Sequence, residues 1–141
     1  MATLEKTIIT VATTVNTPVQ KVWESWTKPE HITQWCSASD DWHTPSSTND
    51  LKVGGRFTSR MEARDGSMGF DFGGVYDAIR ENEYIEYTMD DSRKVKISFS
   101  ETENGTKVSE RFEAETTNSP EMQKAGWQAI LDNFKKYTES L

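Results

Sequence analysis

The most restrictive feature of this chain is its punctuation after residue 55. Five strand-like runs, "GRFTSRMEA", "GFDFGGVYDAI", "EYIEYTM", "KVKISFSE" and "TKVSERFEAE", are separated by the short turn sequences "RDGS", "RENE", "DDSR" and "ENGT". Parallel strands need a crossover of a dozen or more residues, so connections this short dictate an antiparallel meander. A single long helix follows. Ser119 offers a cap and Pro120 suits the first turn; Trp127, Ile130, Leu131 and Phe134 then recur at helical spacing, with Lys124, Gln128, Asp132 and Lys135 facing away. From Pro120 to Ser140 such a helix spans roughly 30 Å, enough to cross one face of a small domain. Gly126 within it costs about 1 kcal/mol against alanine, which points to a close approach to the sheet.

Ahead of the meander, "KTIITVATTV" from Lys6 to Val15 is rich in β-branched residues and sets Ile9, Val11 and Thr13 on one face of a first strand. Thr17, Pro18 and Gln20 resemble a capping box opening a helix, along which Val19, Val22, Trp23 and Trp26 share a face. A second start at Thr27, Lys28 and Pro29 leads to Ile32 and Trp35. From Cys36 to Asp50, "CSASDDWHTPSSTND" has no period of either kind and predicts a long loop of the sort that serves as a lid or binding loop. A short sixth strand is expected at Leu51 to Val53, making six or seven in all.

A chain of 141 residues implies one domain with a core of ordinary size. Sixteen basic residues against twenty-three acidic ones give a net charge of -7, which repels phosphate backbones and anionic lipid and excludes nucleic acid and membrane surfaces as expected partners. The lone cysteine, Cys36, has no internal partner, and "MATLEKTIIT" lacks the pattern of a secretion signal, so a cytoplasmic location is expected. No apolar run approaches the roughly 20 residues of a membrane helix.

"VWESWTKPEHITQW", "VGGRF", "GVY", "EYIEYT", "NGTKVS" and "AGWQAILDNF" stand in an order and spacing similar to the activator of heat-shock protein 90 ATPase homologue family, a branch of the START-like, birch-pollen-allergen-like superfamily. The resemblance spans nearly the whole chain. It departs from the family pattern where "RENE" replaces a turn proline and where Trp35 stands alone in place of a tryptophan pair. It implies an α+β helix-grip fold: a curved antiparallel sheet wraps the C-terminal helix and encloses a cavity. It also implies a link to chaperones and stress response. Chaperone-activating members carry an additional N-terminal domain for which 141 residues leave no room, so that activity is not expected to transfer directly.

Strand alternation names the inward set. Phe57, Ser59 and Met61 share a face; so do Phe70, Phe72, Gly74 and Tyr76, unless a bulge falls at Gly73 and Gly74; Ile85, Tyr87 and Met89, then Val95, Ile97 and Phe99, then Val108, Glu110 and Phe112 follow. With the cavity that the resemblance implies, the expected ligand contacts are Trp35, Trp42, Phe57, Met61, Phe72, Tyr76, Tyr87, Phe99, Glu110, Trp127, Ile130 and Phe134. Trp23 and Trp26 plug one end of the sheet, and Trp35 with the loop after it roofs the cavity mouth. Glu110 either anchors a polar ligand group or is left solvated by a register slip or a sheet-end position, because a bare buried charge costs several kcal/mol.

Metal and nucleophile chemistry find little support. Cys36, Asp40, Asp41 and His43 match no tight zinc spacing, His31 and His43 have no paired nucleophile, and "GGRFTSR" opens a strand where a phosphate loop needs a helix. No metal or cofactor is expected. Three roles follow: first, a non-enzymatic module holding a small hydrophobic molecule; second, a protein-interaction module for a chaperone or other protein; third, a polyketide-cyclase-like enzyme using Glu110 with a tyrosine or histidine.

Overall fold

The computed structural model describes residues 7–141. Lys6, the first residue of the expected opening strand, lies outside the described residues. The element order is β1 (Ile8–Val15), α1 (Val19–Thr27), α2 (Pro29–Trp35), β2 (Trp42–Asn49), β3 (Arg56–Ala63), β4 (Gly69–Arg80), β5 (Tyr84–Met89), β6 (Lys94–Thr102), β7 (Gly105–Glu113) and α3 (Pro120–Glu139). The strands form one sheet in the order β1-β7-β6-β5-β4-β3-β2, every pair antiparallel. The sheet curls into a half-barrel around α3, which is the helix-grip fold.

The meander follows from its turns. Asn82, in "RENE", adopts a φ of 63°, a left-handed conformation that asparagine tolerates better than most residues. Gly105 opens β7 at φ 129°, where a Cβ would lie 2.1 Å from the Val15 carbonyl oxygen. The inward set is buried as alternation requires: Ile9 and Val11 on β1, Ile85 and Tyr87 on β5, Val95, Ile97 and Phe99 on β6, Val108 and Phe112 on β7. Ser119 caps α3, its hydroxyl accepting from the Met122 amide at 3.1 Å, and Pro120 takes the first turn.

Five expectations need correction. The segment from Cys36 to Asp50 is no structureless loop: Trp42–Asn49 is the edge strand β2, paired with β3 through a register shift between His43 and Ser46. Pro45 sits in that shift, where a missing N–H costs no ladder bond. The sixth strand is therefore here; Leu51 to Val53 form the turn between β2 and β3. The β4 irregularity falls between Tyr76 and Ala78, downstream of Gly73 and Gly74. Pro18 stands at the N-cap of α1 and no side chain caps it, so Thr17 and Gln20 form no capping box; the Thr17 carbonyl accepts from the Thr106 hydroxyl. Gly126 does not touch the sheet, since a Cβ there would have nothing within 4 Å.

Trp23 and Trp26 do plug one end of the core. Trp23 meets Phe99 edge-on at 5.2 Å, and Trp26 meets Phe134 at 4.8 Å. Trp35 closes the group against Phe134 at 4.9 Å, its indole N–H donating to the Ser25 carbonyl at 2.8 Å.

Candidate ligand-binding site

Between the concave face of the sheet and α3 lies a cavity of about 360 Å³. Its apolar wall comes from every layer of the fold: Trp26, Ile32 and Trp35 from the short helices, Phe57 and Met61 from β3, Phe70 and Phe72 from β4, Trp127 and Ile130 from α3. The rings brace one another. Phe57 packs edge-on to Tyr87 at 4.7 Å and against Tyr76 at 5.2 Å, while Trp127 stacks on Phe112 and meets Phe72 edge-on. Such a wall resists collapse because each ring is held by a neighbour on the same surface.

The cavity continues outward. A second pocket of about 320 Å³ shares Met61, Phe70, Arg93, Glu115, Trp127 and Ile130 with the first and adds Trp42, Met122 and Gly126. It forms a vestibule, floored in part by the bare backbone of Gly126. Trp42 leans on Phe70 at 5.8 Å on its far wall.

Few polar groups reach the inner cavity. Glu110, on β7 between Val108 and Phe112, is 6% exposed, and no described residue donates a hydrogen bond to its carboxyl. Burial raises its pKa to about 8, so at neutral pH it is mostly a neutral acid. Tyr87 is pushed well above its ordinary value by burial and by the nearby Glu110 charge. Cys36, at the end of α2, is raised to about 12 chiefly by burial, with Thr44 pulling it back and Glu110 adding to the rise. Tyr76 is also raised by burial; its hydroxyl donates to Asn49 Oδ1 at 2.6 Å, and Asn49 Nδ2 donates to the Thr27 carbonyl at 2.6 Å. Ser47 and Ser59 share a hydrogen bond at 3.0 Å. At the mouth, Arg93 is engaged by Asp91 at 2.7 Å and by the Glu113 carbonyl at 3.2 Å.

The expected contact residues divide into three groups. Trp35, Phe57, Met61, Phe72, Tyr76, Tyr87, Glu110, Trp127 and Ile130 line the inner cavity. Trp42 lines only the vestibule. Phe99 and Phe134 line neither, a correction: both are packed against Trp26, which takes the cavity wall itself. Trp35 is likewise no movable roof, being 5% exposed and hydrogen-bonded to α1. Cys36, Ser47, Arg93 and Glu115 were not anticipated as lining residues; their positions depend on how α2, β2, the β5–β6 turn and the β7–α3 connection meet, and no local pattern marks them. Glu110 is buried, which removes the solvated sheet-end alternative. Among the described residues, no group of three or more metal-binding side chains occurs, and no helix is long and apolar enough to cross a membrane.

The family comparison matches residues 16–139 to "Activator of Hsp90 ATPase homolog 1-like protein". The chain belongs to that family. Among solved structures, this member of the Hsp90 ATPase activator homologue family is similar to an AHSA1-like protein from Aeromonas hydrophila, with 44% identity over 95% of this chain and 93% of that one and a TM-score of 0.90. It is also similar to the protein Chr148 from Cytophaga hutchinsonii, with 55% identity over 94% of this chain and 92% of that one and a TM-score of 0.81. The protein CV1439 from Chromobacterium violaceum shares the fold at 22% identity, with a TM-score of 0.82 over 94% and 98% of the two chains. No curated protein matches the chain.

Proposed function

We propose that this protein is a non-enzymatic binding module that holds a small, largely apolar molecule between the sheet and α3. The observation that carries this reading is the cavity of about 360 Å³, walled by aromatic rings from six separate elements and adjoined by a vestibule. Pockets of this volume, mostly apolar with a few convergent polar groups, are the usual form of small-molecule sites. Glu110 lies at its inner wall with Tyr87 and Cys36 nearby, all three pushed upward by burial. The predominance of apolar and aromatic side chains in the lining supports binding over the polyketide-cyclase-like alternative.

The test is a titration of neutral hydrophobic compounds followed by amide shifts. One bound molecule moves the resonances of Trp42, Tyr87 and Trp127 together, because these residues line one continuous space. Absence of any coherent shift across a broad panel overturns the reading. The family description names activation of a chaperone ATPase, which supports a second reading, a chaperone-docking module. That role predicts shifts confined to surface residues and seen only when the chaperone is added.

A further inference from the structure

The inner cavity presents an unusual combination: an acidic group without a hydrogen-bond donor among the described residues, surrounded by aromatic rings. Glu110 is 6% exposed, and what exposure it has is toward the cavity. Its strand neighbours in the β1–β7–β6 ladder are Val11 and Ile97, neither of which offers a side-chain donor. A buried carboxyl left without a donor is costly, and in a binding cavity the missing partner is supplied by whatever fills the space.

Resting on the binding role proposed above, we infer that the cavity selects a small apolar molecule bearing one positively charged nitrogen, its ammonium set against Glu110 and its hydrocarbon part against the aromatic wall. Three observations favour a cation over an anion. Arg93 is the one basic residue among the described lining, and it is occupied by Asp91 and the Glu113 carbonyl. A second carboxylate, Glu115, shares the mouth with it. Trp26, Trp35, Trp127, Phe57 and Tyr87 line the cavity, and aromatic rings attract ammonium groups through their quadrupole, most strongly where water is excluded. The net charge of -7 adds a long-range pull of the same sign.

Pairing with an ammonium requires the carboxylate form, so binding near neutral pH releases the Glu110 proton to solvent. The other titratable groups facing Glu110 do not interfere. Tyr76 on β4, Tyr87 on β5 and Cys36 after α2 are all shifted upward and stay protonated, Arg93 and Glu115 stand at the mouth, α3 contributes only Trp127 and Ile130, and neither histidine lines the cavity.

The experiment compares 4-phenylbutylamine, 4-phenylbutanol and 4-phenylbutyrate, matched in size and differing in head-group charge, by calorimetry on the full chain. At pH 8.5 the amine binds at least about tenfold more tightly than the alcohol, and the butyrate binds more weakly than either. Below about pH 8 the amine's affinity falls by about tenfold per pH unit, with close to one proton released per molecule bound, while the alcohol's affinity is flat. Glu110→Gln abolishes the amine preference and retains alcohol binding; the pH profile of the unaltered protein tests the same point without a substitution. Equal binding of amine and alcohol, a preference that survives Glu110→Gln, or preference for the butyrate overturns the cation assignment and leaves the binding module standing. If none of the three binds, the cation assignment falls, while the binding module is judged separately by the broad hydrophobic panel described above.

Discussion

Trp127 of α3 lies flat on Phe112 of β7, their ring centroids 3.8 Å apart and their planes 11° from parallel. Phe112 is fully buried, whereas Trp127 is partly exposed and turns its remaining surface to the cavity. The stack is thus both a clamp between helix and sheet and a piece of the cavity wall. Trp127→Ala is expected to cost about 2–3 kcal/mol, below the 3–5 kcal/mol usual for a buried large ring, because the cavity side has no packing to lose. Phe134→Ala, at a fully buried position, should reach that higher range. Urea unfolding of the two variants checks the order; a larger loss at Trp127 contradicts the placement of the cavity.

Glu110 makes stability fall as pH rises. Its folded pKa, about 8, lies above the roughly 4.3 of an unfolded glutamate, so the native state binds the extra proton between these values. The contribution is fully present below pH 4 and is lost as pH rises through 8, with a slope of at most about 1.4 kcal/mol per pH unit. Glu110→Gln should flatten this part of the profile, gaining most over the unaltered protein near pH 8–9. Melting temperatures from pH 5 to 9 for both proteins measure it, and parallel profiles contradict it.

Asn49 joins three elements, accepting from the Tyr76 hydroxyl and donating to the Thr27 carbonyl. Asn49→Ala strands the buried Tyr76 hydroxyl and should cost about 2–3 kcal/mol. Adding Tyr76→Phe to that variant should recover part of the loss, since the orphaned group is removed. A double-mutant cycle by chemical denaturation gives the coupling directly.

Gly126 occupies open space at the vestibule. Gly126→Ala should raise stability by about 0.8–1 kcal/mol through helix propensity alone, as no atom lies within 4 Å of the new Cβ. Gly126→Leu should keep most of that gain but narrow the entrance, slowing association of an apolar probe in stopped-flow fluorescence. Unchanged association kinetics would place the entrance elsewhere.

Much of this molecule is legible in its residues because much of it is local. Four short turns and a two-residue alternation require an antiparallel meander with Ile85, Tyr87, Ile97, Val108 and Glu110 inward, whatever else the chain does. The Ser119 cap and the stripe from Trp127 to Phe134 likewise require the C-terminal helix.

What alternation cannot say is what an inward side chain meets. Phe99 and Phe134 face the same interior as Tyr87 and Trp127, yet α1 delivers Trp26 onto the first pair and leaves the second pair facing empty space. The segment Trp42–Asn49 has the composition of a loop, and becomes a strand only because β3 offers its edge to hydrogen bonds that no local pattern encodes. Gly126 reads as a close contact from its helix cost and proves to border a void. Local sequence therefore determines secondary structure and facing, which depend on neighbours in the chain. The tertiary structure alone decides which inward residues pack and which line a cavity, and leaves Glu110 buried with no hydrogen-bond donor among the described residues, because those outcomes depend on contacts between segments far apart in sequence.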